Sequence, residues 1–381
     1  MKPLKVYLRI FGNADCGVGY YRQWLPLMTA HVNGEVELRC QHFTYGEGQG
    51  EGVGRDIPVS EAQLTENALW ADIVVYSRND VPDTLAQMLY IQDMLKKPVV
   101  LDYDDLVDHT RPHNPGYRSF HPNSPHIKFN KQALMYINGL FVSTPFLEKW
   151  YDEEKKKITN PNYDLGYKTY HYPNSLNFKE RDKNFTRKLD KIKKKKDEIR
   201  IGWSGSASHY ENLQIVLPAL KRVMQENKNV TFYYTGLFGD LFNDFKKGLT
   251  DRIKTVPFVG LKEYHKSLLE ADYDLVIAPL TDCNFNRAKS NLRVLEYGSC
   301  KLPVVCSPIE PYKEFKEGKE VLFAQEENEW YEQINKLIKN PNLREDLGVN
   351  LYKKAKMCYN VDKNYKTMIK GLRDIVKKFN K

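Results

Sequence analysis

The feature that most constrains the fold is an alternation of short, continuously apolar runs with helical stretches, and it occurs twice along the chain. In the first series Val6–Ile10, Ile73–Tyr76, Val99–Leu101 and Leu140–Val142 read as strands. A helical pattern through Tyr21, Trp24, Leu25 and Met28 follows the first of them, and Thr84–Leu95 reads as another helix. The second series has strands at Ile199–Trp203, Val230–Tyr234, Asp274–Ala278 and Leu302–Val305, with helices at Glu211–Gln225, Lys262–Glu270 and Asn291–Cys300. Unbroken apolar strands joined by helices are the pattern of a parallel sheet buried on both faces. The expected fold class is therefore α/β, with two Rossmann-like lobes facing each other across a cleft. The reading divides the chain into a first lobe at 1–180, a basic linker at 181–197 and a second lobe at 198–361. A terminal helix of about 362–381 is expected to pack back on the first lobe. Ligands of such folds sit at the carboxyl ends of strands, so the loops after each strand are where chemistry is sought.

The net charge of +9 is local rather than general. Residues 1–180 hold 19 Lys and Arg against 22 Asp and Glu, whereas the rest hold 39 against 27. The stretch 181–196 alone has nine bases and two acids. The six cysteines form no CxxC pair and no zinc-ligand spacing, so they read as reduced, and no metal site is assigned. No apolar run approaches the roughly 20 residues of a membrane span, and the mean hydropathy is −0.61. Arg9 interrupts the amino-terminal apolar stretch too early for a signal-peptide core. A cytoplasmic protein is expected, in the host cytoplasm if the source is viral. No transmembrane segment is expected, and the oligomeric state is left open.

The most specific string runs from Asp274 to Val305. A strand ends at Pro279-Leu280, a polar Phe-Asn-Arg-Ala loop follows, Lys289 and Ser290 open a helix, and Glu296 lies two turns along it. A helix start presents free N–H groups to a phosphate, Lys289 adds a full charge, and a glutamate can accept two ribose hydroxyls. For any one of these residues an ordinary capped surface helix explains as much. A second constellation, Gly202-Trp-Ser-Gly-Ser-Ala-Ser-His209, puts Gly205 and Ser206 directly after the first strand of the second lobe, where backbone can approach an anion closely. In the first lobe Gly12 and the Gly17-Val-Gly19 turn follow the first strand. The third glycine of a dinucleotide fingerprint is replaced by Arg22, which disfavours NAD. Tyr20 and Tyr21 could equally belong to a tight strand-to-helix turn.

Taken in order, the 274–305 string resembles the donor motif of the glycosyltransferases group 1 family, including its Lys-Ser loop and Leu-Glu-Tyr helix before Pro-Val-Val. The likeness is strongest over residues 199–310. It implies the GT-B fold and transfer, with retention, from a nucleoside-diphosphate sugar, UDP-sugars being favoured. It also implies Glu296 on the ribose and Lys289 as a catalytic charge on the diphosphate. Pro279, Asn286, Ser290, Asn291, Gly205, Ser206, His209, Gly17 and Gly19 join the donor site, with Gly236 at the nucleobase end. One departure is Ala288, which stands where the family has a glutamate eight residues before the ribose-binding one. That departure keeps a non-catalytic sugar-nucleotide-binding protein as the alternative function.

Four carboxylates and a histidine cluster after the third strand, in Asp102-Tyr-Asp104-Asp105-Leu-Val-Asp108-His109. Clustered acids raise one another's pKa and can take the proton of an acceptor hydroxyl. Asp105 and Asp102 are accordingly expected as catalytic groups, and Asp104, His109 and Arg22 as acceptor contacts. A divalent metal on Asp102 and Asp104 is the competing reading, set second because the donor machinery falls in the other lobe; no cofactor is required. The segment Thr110–Asn130, rich in histidine and proline, is expected to be a long functional loop carrying Tyr117 and Arg118 to the acceptor. Two acceptors stand side by side. One is a cell-envelope glycan. The other is a hydroxymethylated base in viral DNA, extruded from the duplex and gripped through Arg181–Lys196; the Lys, Asn and 25 Tyr residues fit an AT-rich, phage-type genome.

Overall fold

In the computed structural model the described residues are 2–10, 17–42, 60–78, 82–157, 166–187, 189, 191, 193–195, 197–236 and 243–381. Gly12, Cys16 and, within the basic run, Lys188, Asp190, Ile192 and Lys196 lie outside them. Two parallel sheets of six strands form the frame, as the two apolar series require. The first contains β1 (Leu4–Ile10), β2 (Val36–His42), β3 (Ile73–Ser77), β4 (Val99–Tyr103), β5 (Gly139–Val142) and β6 (Lys168–His171), in the order β2-β1-β3-β4-β5-β6. The second contains β7 (Ile199–Ser204), β8 (Val230–Thr235), β9 (Ile253–Thr255), β10 (Leu275–Ala278), β11 (Val304–Cys306) and β12 (Leu322–Phe323), in the order β12-β11-β10-β7-β8-β9. In each lobe the order reverses beside the first strand, at β1/β3 and at β7/β10. Such reversals open a crevice at the strands' carboxyl ends.

Every strand expected from an apolar run is present within a few residues, and every one is interior. The four unexpected strands, β2, β6, β9 and β12, are the four sheet edges. Edge strands are half-covered, so polar residues run through β2, β6 and β9, while β12, only two residues long, is too short to announce itself. Three expectations, one helix, one turn and one loop, need correction. Glu211–Gln225 is split into helices Tyr210–Gln214 and Leu217–Glu226, because Pro218 cannot sit inside a helix but is suited to its first turn. Gly17–Gly19 is a helical start leading into a π turn at Tyr20–Trp24 rather than a tight turn. Thr110–Asn130 is not one long loop: it contains helix Tyr117–Phe120 and the start of helix Pro125–Ala133, which Ser124 caps by accepting from the His126 N–H.

Two crossover segments join the lobes and bond to each other: the Leu176 N–H donates to Tyr359 O at 2.8 Å, and the Val361 N–H donates to Leu176 O at 3.0 Å. Beyond the second crossover, helix Val361–Phe379 lies on the first lobe. A Cβ at Gly371 would fall 2.7 Å from the Phe141 ring, so glycine there lets helix and sheet meet closely. Tyr365 Oη donates to Glu35, and Tyr170 Oη donates to Asp374. No helix among the described residues is long and apolar enough to cross a membrane.

The basic run is not a free solvated linker throughout. Arg181 is buried in helix Phe178–Thr186. Lys191 pairs with Asp272 at 3.1 Å and Lys194 with Asp274 at 2.7 Å, and the Lys193 carbonyl accepts from Arg200 Nη2. These acids immediately precede β10, so the run is docked at the amino ends of the second sheet.

Candidate functional site

At the carboxyl ends of both sheets a cavity of about 360 Å³ lies between the lobes. From the second lobe it receives Ser206 and His209 after β7, and Lys289, Ser290, Arg293 and Glu296 around helix Leu292–Ser299. From the first lobe it receives Gly17, Val18, Arg22, Asp104 and Asp105, and the crossover adds Asn174. Residues as far apart as Gly17 and Glu296 thus share one surface.

Cations dominate one end. Lys289 Nζ lies 3.4 Å from Asp105 Oδ1 and over the Phe285 ring. Arg293, in the first turn of that helix, stacks its guanidinium on Trp203, and its buried Nη1 has no hydrogen-bond partner among the described residues. Gly205 makes room for this group: a Cβ there would fall 2.6 Å from Trp203 and 2.7 Å from Arg293 Nη1. The helix's cap residue, Asn291, gives its side chain to Glu314 rather than to the first-turn N–H groups. Its start therefore has no side-chain cap, and an uncapped helix start is suited to meeting an anion. His209 is held well below the usual imidazole range by burial, then by Arg293 and Lys289. It is neutral, and with Nδ1 bonded to the Asn212 amide at 3.1 Å its proton belongs on Nε2.

At the other end Glu296 is 8% exposed. Its Oε1 accepts from Tyr21 Oη at 2.8 Å. Burial raises its pKa, while Arg181, Tyr21 and Arg293 oppose the rise. Between these ends, burial and then the neighbouring Asp105 push Asp104 up to about 6.

The cavity brings together Lys289, Asp105, Asp104, Glu296, Ser290, Ser206, His209, Gly17 and Arg22 of the expected residues. Others fall elsewhere. Asp102, expected to be catalytic, is 3% exposed, and both its oxygens take a bidentate pair from Arg22 at 2.9 Å. That pair ties β4 to the crossover, because Arg22 also donates to Tyr172 O and Asn174 Oδ1, and Asn174 donates to Ser290 Oγ at 2.8 Å. Asn286 is pinned to Asn212 and Thr281. Asn291 faces a second inter-lobe cavity of about 510 Å³ beyond Lys289. Gly19 is buried inside its helix; Pro279 and Gly236 follow β10 and β8 outside the cavity lining. His109 packs on Trp150 beside Asp108, and Tyr117 meets His121, both away from the cavity, as is Arg118.

Lys289 and Ser290, expected to open the helix, precede it: the helix runs Leu292–Ser299 with Asn291 as its cap, so Glu296 lies one turn in. Sequence reasoning missed Arg293, which sits in that helix's first turn. It also missed the cross-lobe contact in which Arg111 and His113 both meet Glu211, at 3.2 and 2.8 Å. Nothing in spacing announces a pair nearly 100 residues apart. Among the described residues no group of three or more His, Cys, Asp or Glu is arranged to hold a metal ion.

Residues 198–340 match the family described as "Glycosyl transferases group 1". No curated protein matches the chain. Among solved structures, Anabaena Alr3699/HepE in complex with UDP and glucose is similar at a TM-score of 0.67 and 12% identity, over 97% of this chain and 100% of that one. A Rickettsia africae glycosyltransferase is similar at 0.64 and 12%, over 100% of each. S. aureus TarM, in a complex with UDP and alpha-GlcNAc-glycerol among its ligands, is similar at 0.56 and 14%, over 82% of this chain and 58% of that one. At such identities the likeness is one of fold.

Proposed function

We propose, from the match of residues 198–340 to the glycosyl transferases group 1 family, that this chain is a glycosyltransferase that moves a sugar from UDP to a hydroxyl acceptor with retention, in the cytoplasm. The observation that carries the donor reading is the cation-rich end of the cavity set against a buried carboxylate at the other: diphosphate on Lys289, Arg293 and the helix start, ribose on Glu296. UDP in the HepE and TarM structures supports the choice of nucleotide.

Transfer breaks the bond between the sugar's anomeric carbon and the diphosphate oxygen, and forms one to the acceptor oxygen on the same face. Charge grows on the departing diphosphate. Lys289, Arg293, the neutral Nε2–H of His209 and the helix N–H groups are already oriented to meet it. Asp104 takes the acceptor's proton, its raised pKa bringing it nearer to a hydroxyl's needs. Because two fixed cations and a helix end face the diphosphate, no divalent metal is required in this scheme. Activity lost in excess EDTA and restored by manganese would overturn that part.

For the acceptor we favour a glycan over DNA. The basic run that a DNA reading needs is docked at the amino ends of the second sheet, and the cavity opens at the carboxyl ends. The six residues of β7 alone separate the two by about 20 Å. Purified protein given radiolabelled UDP- and GDP-sugars with cell-wall glycans, hydroxymethylated DNA and plain DNA tests the whole reading. Label from a UDP-sugar should enter a glycan. Label in hydroxymethylated DNA would reverse the acceptor assignment, and no turnover of any donor would leave the alternative of a binding protein.

A further inference from the structure

We propose that Tyr21, reaching across from the first lobe, is a positioning residue of the donor site: its phenol, held by Arg181, keeps the Glu296 carboxylate oriented as the acceptor of the ribose hydroxyls. The inference rests on the reading of Glu296 as the ribose acceptor. Three separate pieces of chain meet here. Tyr21 belongs to the π turn Tyr20–Trp24, Arg181 to helix Phe178–Thr186 at the first crossover, and Glu296 to the donor helix. Single π turns inside helices are concentrated at functional sites.

The direction of the chain of bonds follows from donor chemistry. Arg181 Nη2 lies 3.1 Å from Tyr21 Oη, and a guanidinium can only donate. The phenol's one proton is thus committed to Glu296 Oε1, 2.8 Å away. Arg181 is itself fixed, with Nη1 donating to Ser299 Oγ at 2.6 Å, while Ser299 Oγ donates to the Glu296 carbonyl. Each carboxylate oxygen has two lone pairs. With Oε1 taking Tyr21, one site on Oε1 and both on Oε2 remain for the two ribose hydroxyls. A hydrogen-bond chain of one polarity strengthens each link in a low-dielectric site.

The groups that face Glu296 are Arg293 and Tyr297 on its own helix, Arg181 from the crossover, Tyr21 with Tyr20 packed on its ring, and Tyr264 from helix Leu261–Glu270. Burial raises the carboxyl, and Arg181 and Tyr21 are the first two groups to oppose it. Loss of the Tyr21 hydroxyl should therefore let Glu296 protonate at a higher pH. A protonated carboxyl gives up acceptor capacity that the ribose needs.

The test compares binding of UDP and 2′,3′-dideoxy-UDP to the intact protein by calorimetry from pH 5 to 8, in wild type and Tyr21→Phe. In the wild type, preference for UDP should fade at the acid end. In Y21F that fading should begin at a higher pH, making UDP several-fold weaker across that window; binding of the dideoxy nucleotide should not change. Arg181→Lys, which keeps the charge but not the guanidinium bond, should shift the midpoint the same way by less, and it carries the test if Y21F does not fold. An unmoved midpoint, or equal loss of both nucleotides at every pH, overturns the positioning role while leaving Glu296 on the ribose. A wild type that does not distinguish the two nucleotides overturns the ribose reading and this inference with it.

Discussion

At the scale of single residues, charge placement governs what the cavity can do. Lys289 begins paired with Asp105 at 3.4 Å, and Arg293 carries a buried nitrogen with no hydrogen-bond partner among the described residues. An incoming diphosphate would satisfy both. Lys289→Ala should lower kcat by about 10²–10³, the usual loss when one preorganised donor to a developing anion is removed. Arg293→Ala should weaken UDP binding as well as rate, because its nitrogen otherwise stays unsatisfied. Steady-state kinetics with UDP titration separates the two effects, and unchanged values in both variants would dismiss the clamp. Asp104 gives a pH signature. With its carboxyl near 6, transfer should fall about tenfold per unit below that pH, and Asp104→Asn should lower the rate and erase the limb. Stability should respond with a definite sign. A carboxyl raised in the fold favours folding fully below its unfolded pKa, and that contribution is lost as pH rises through about 6. D104N should therefore raise Tm at pH 8 and leave it unaltered at pH 4, by calorimetry.

At the scale of elements, the donor site depends on one strand-to-helix turn fitting under one helix end. Gly205 is the contact point between them. Gly205→Ala would drive a methyl into both the Trp203 ring and the Arg293 guanidinium. Overpacking of this kind costs about 1–3 kcal/mol, and here the shift falls on the phosphate-facing cation. UDP affinity should drop about tenfold or more, with far-UV circular dichroism unchanged; a G205A protein binding UDP normally would show that the turn does not bear on the site. The Gly205 turn was legible, since it follows an interior apolar strand directly; the helix carrying Glu296 was legible as an element, but it starts at Leu292, after the Lys-Ser pair rather than with it. The Tyr210–Gln214 helix and the segment holding Arg111 and His113 were legible only as pieces. Their meeting at Glu211 is set by how the lobes face.

At the scale of the whole molecule, the two lobes are linked by two crossovers and share a cavity, while the net positive charge sits on a different face. Lys193 and Lys195 are exposed parts of the basic run. If duplex DNA were the acceptor and used them, replacing both by Ser would flatten the log-affinity against log-salt slope by up to about 1.8, at about 0.9 per phosphate. We expect no change in that slope by fluorescence anisotropy and no change in UDP binding. A flatter slope together with lost transfer to DNA would restore the DNA reading.

By itself the sequence determined the fold class and brought forward the second-lobe residues on which the proposed donor site rests. Interior strands must be apolar along their whole length, and Lys289, Ser290 and Glu296 lie close enough in the chain for one loop and the helix after it to present them together. Tertiary structure alone decided which of the clustered acids lines the cavity. Asp102 and Asp104 sit two residues apart, yet one is consumed by Arg22, from the helix after β1, and the other opens on the cavity. It also decided that Tyr21 would serve Glu296 from the opposite lobe, 275 residues away. Spacing along a chain encodes periodic local geometry; which side chain of a cluster is neutralised depends on partners brought together only when the sheets and crossovers pack.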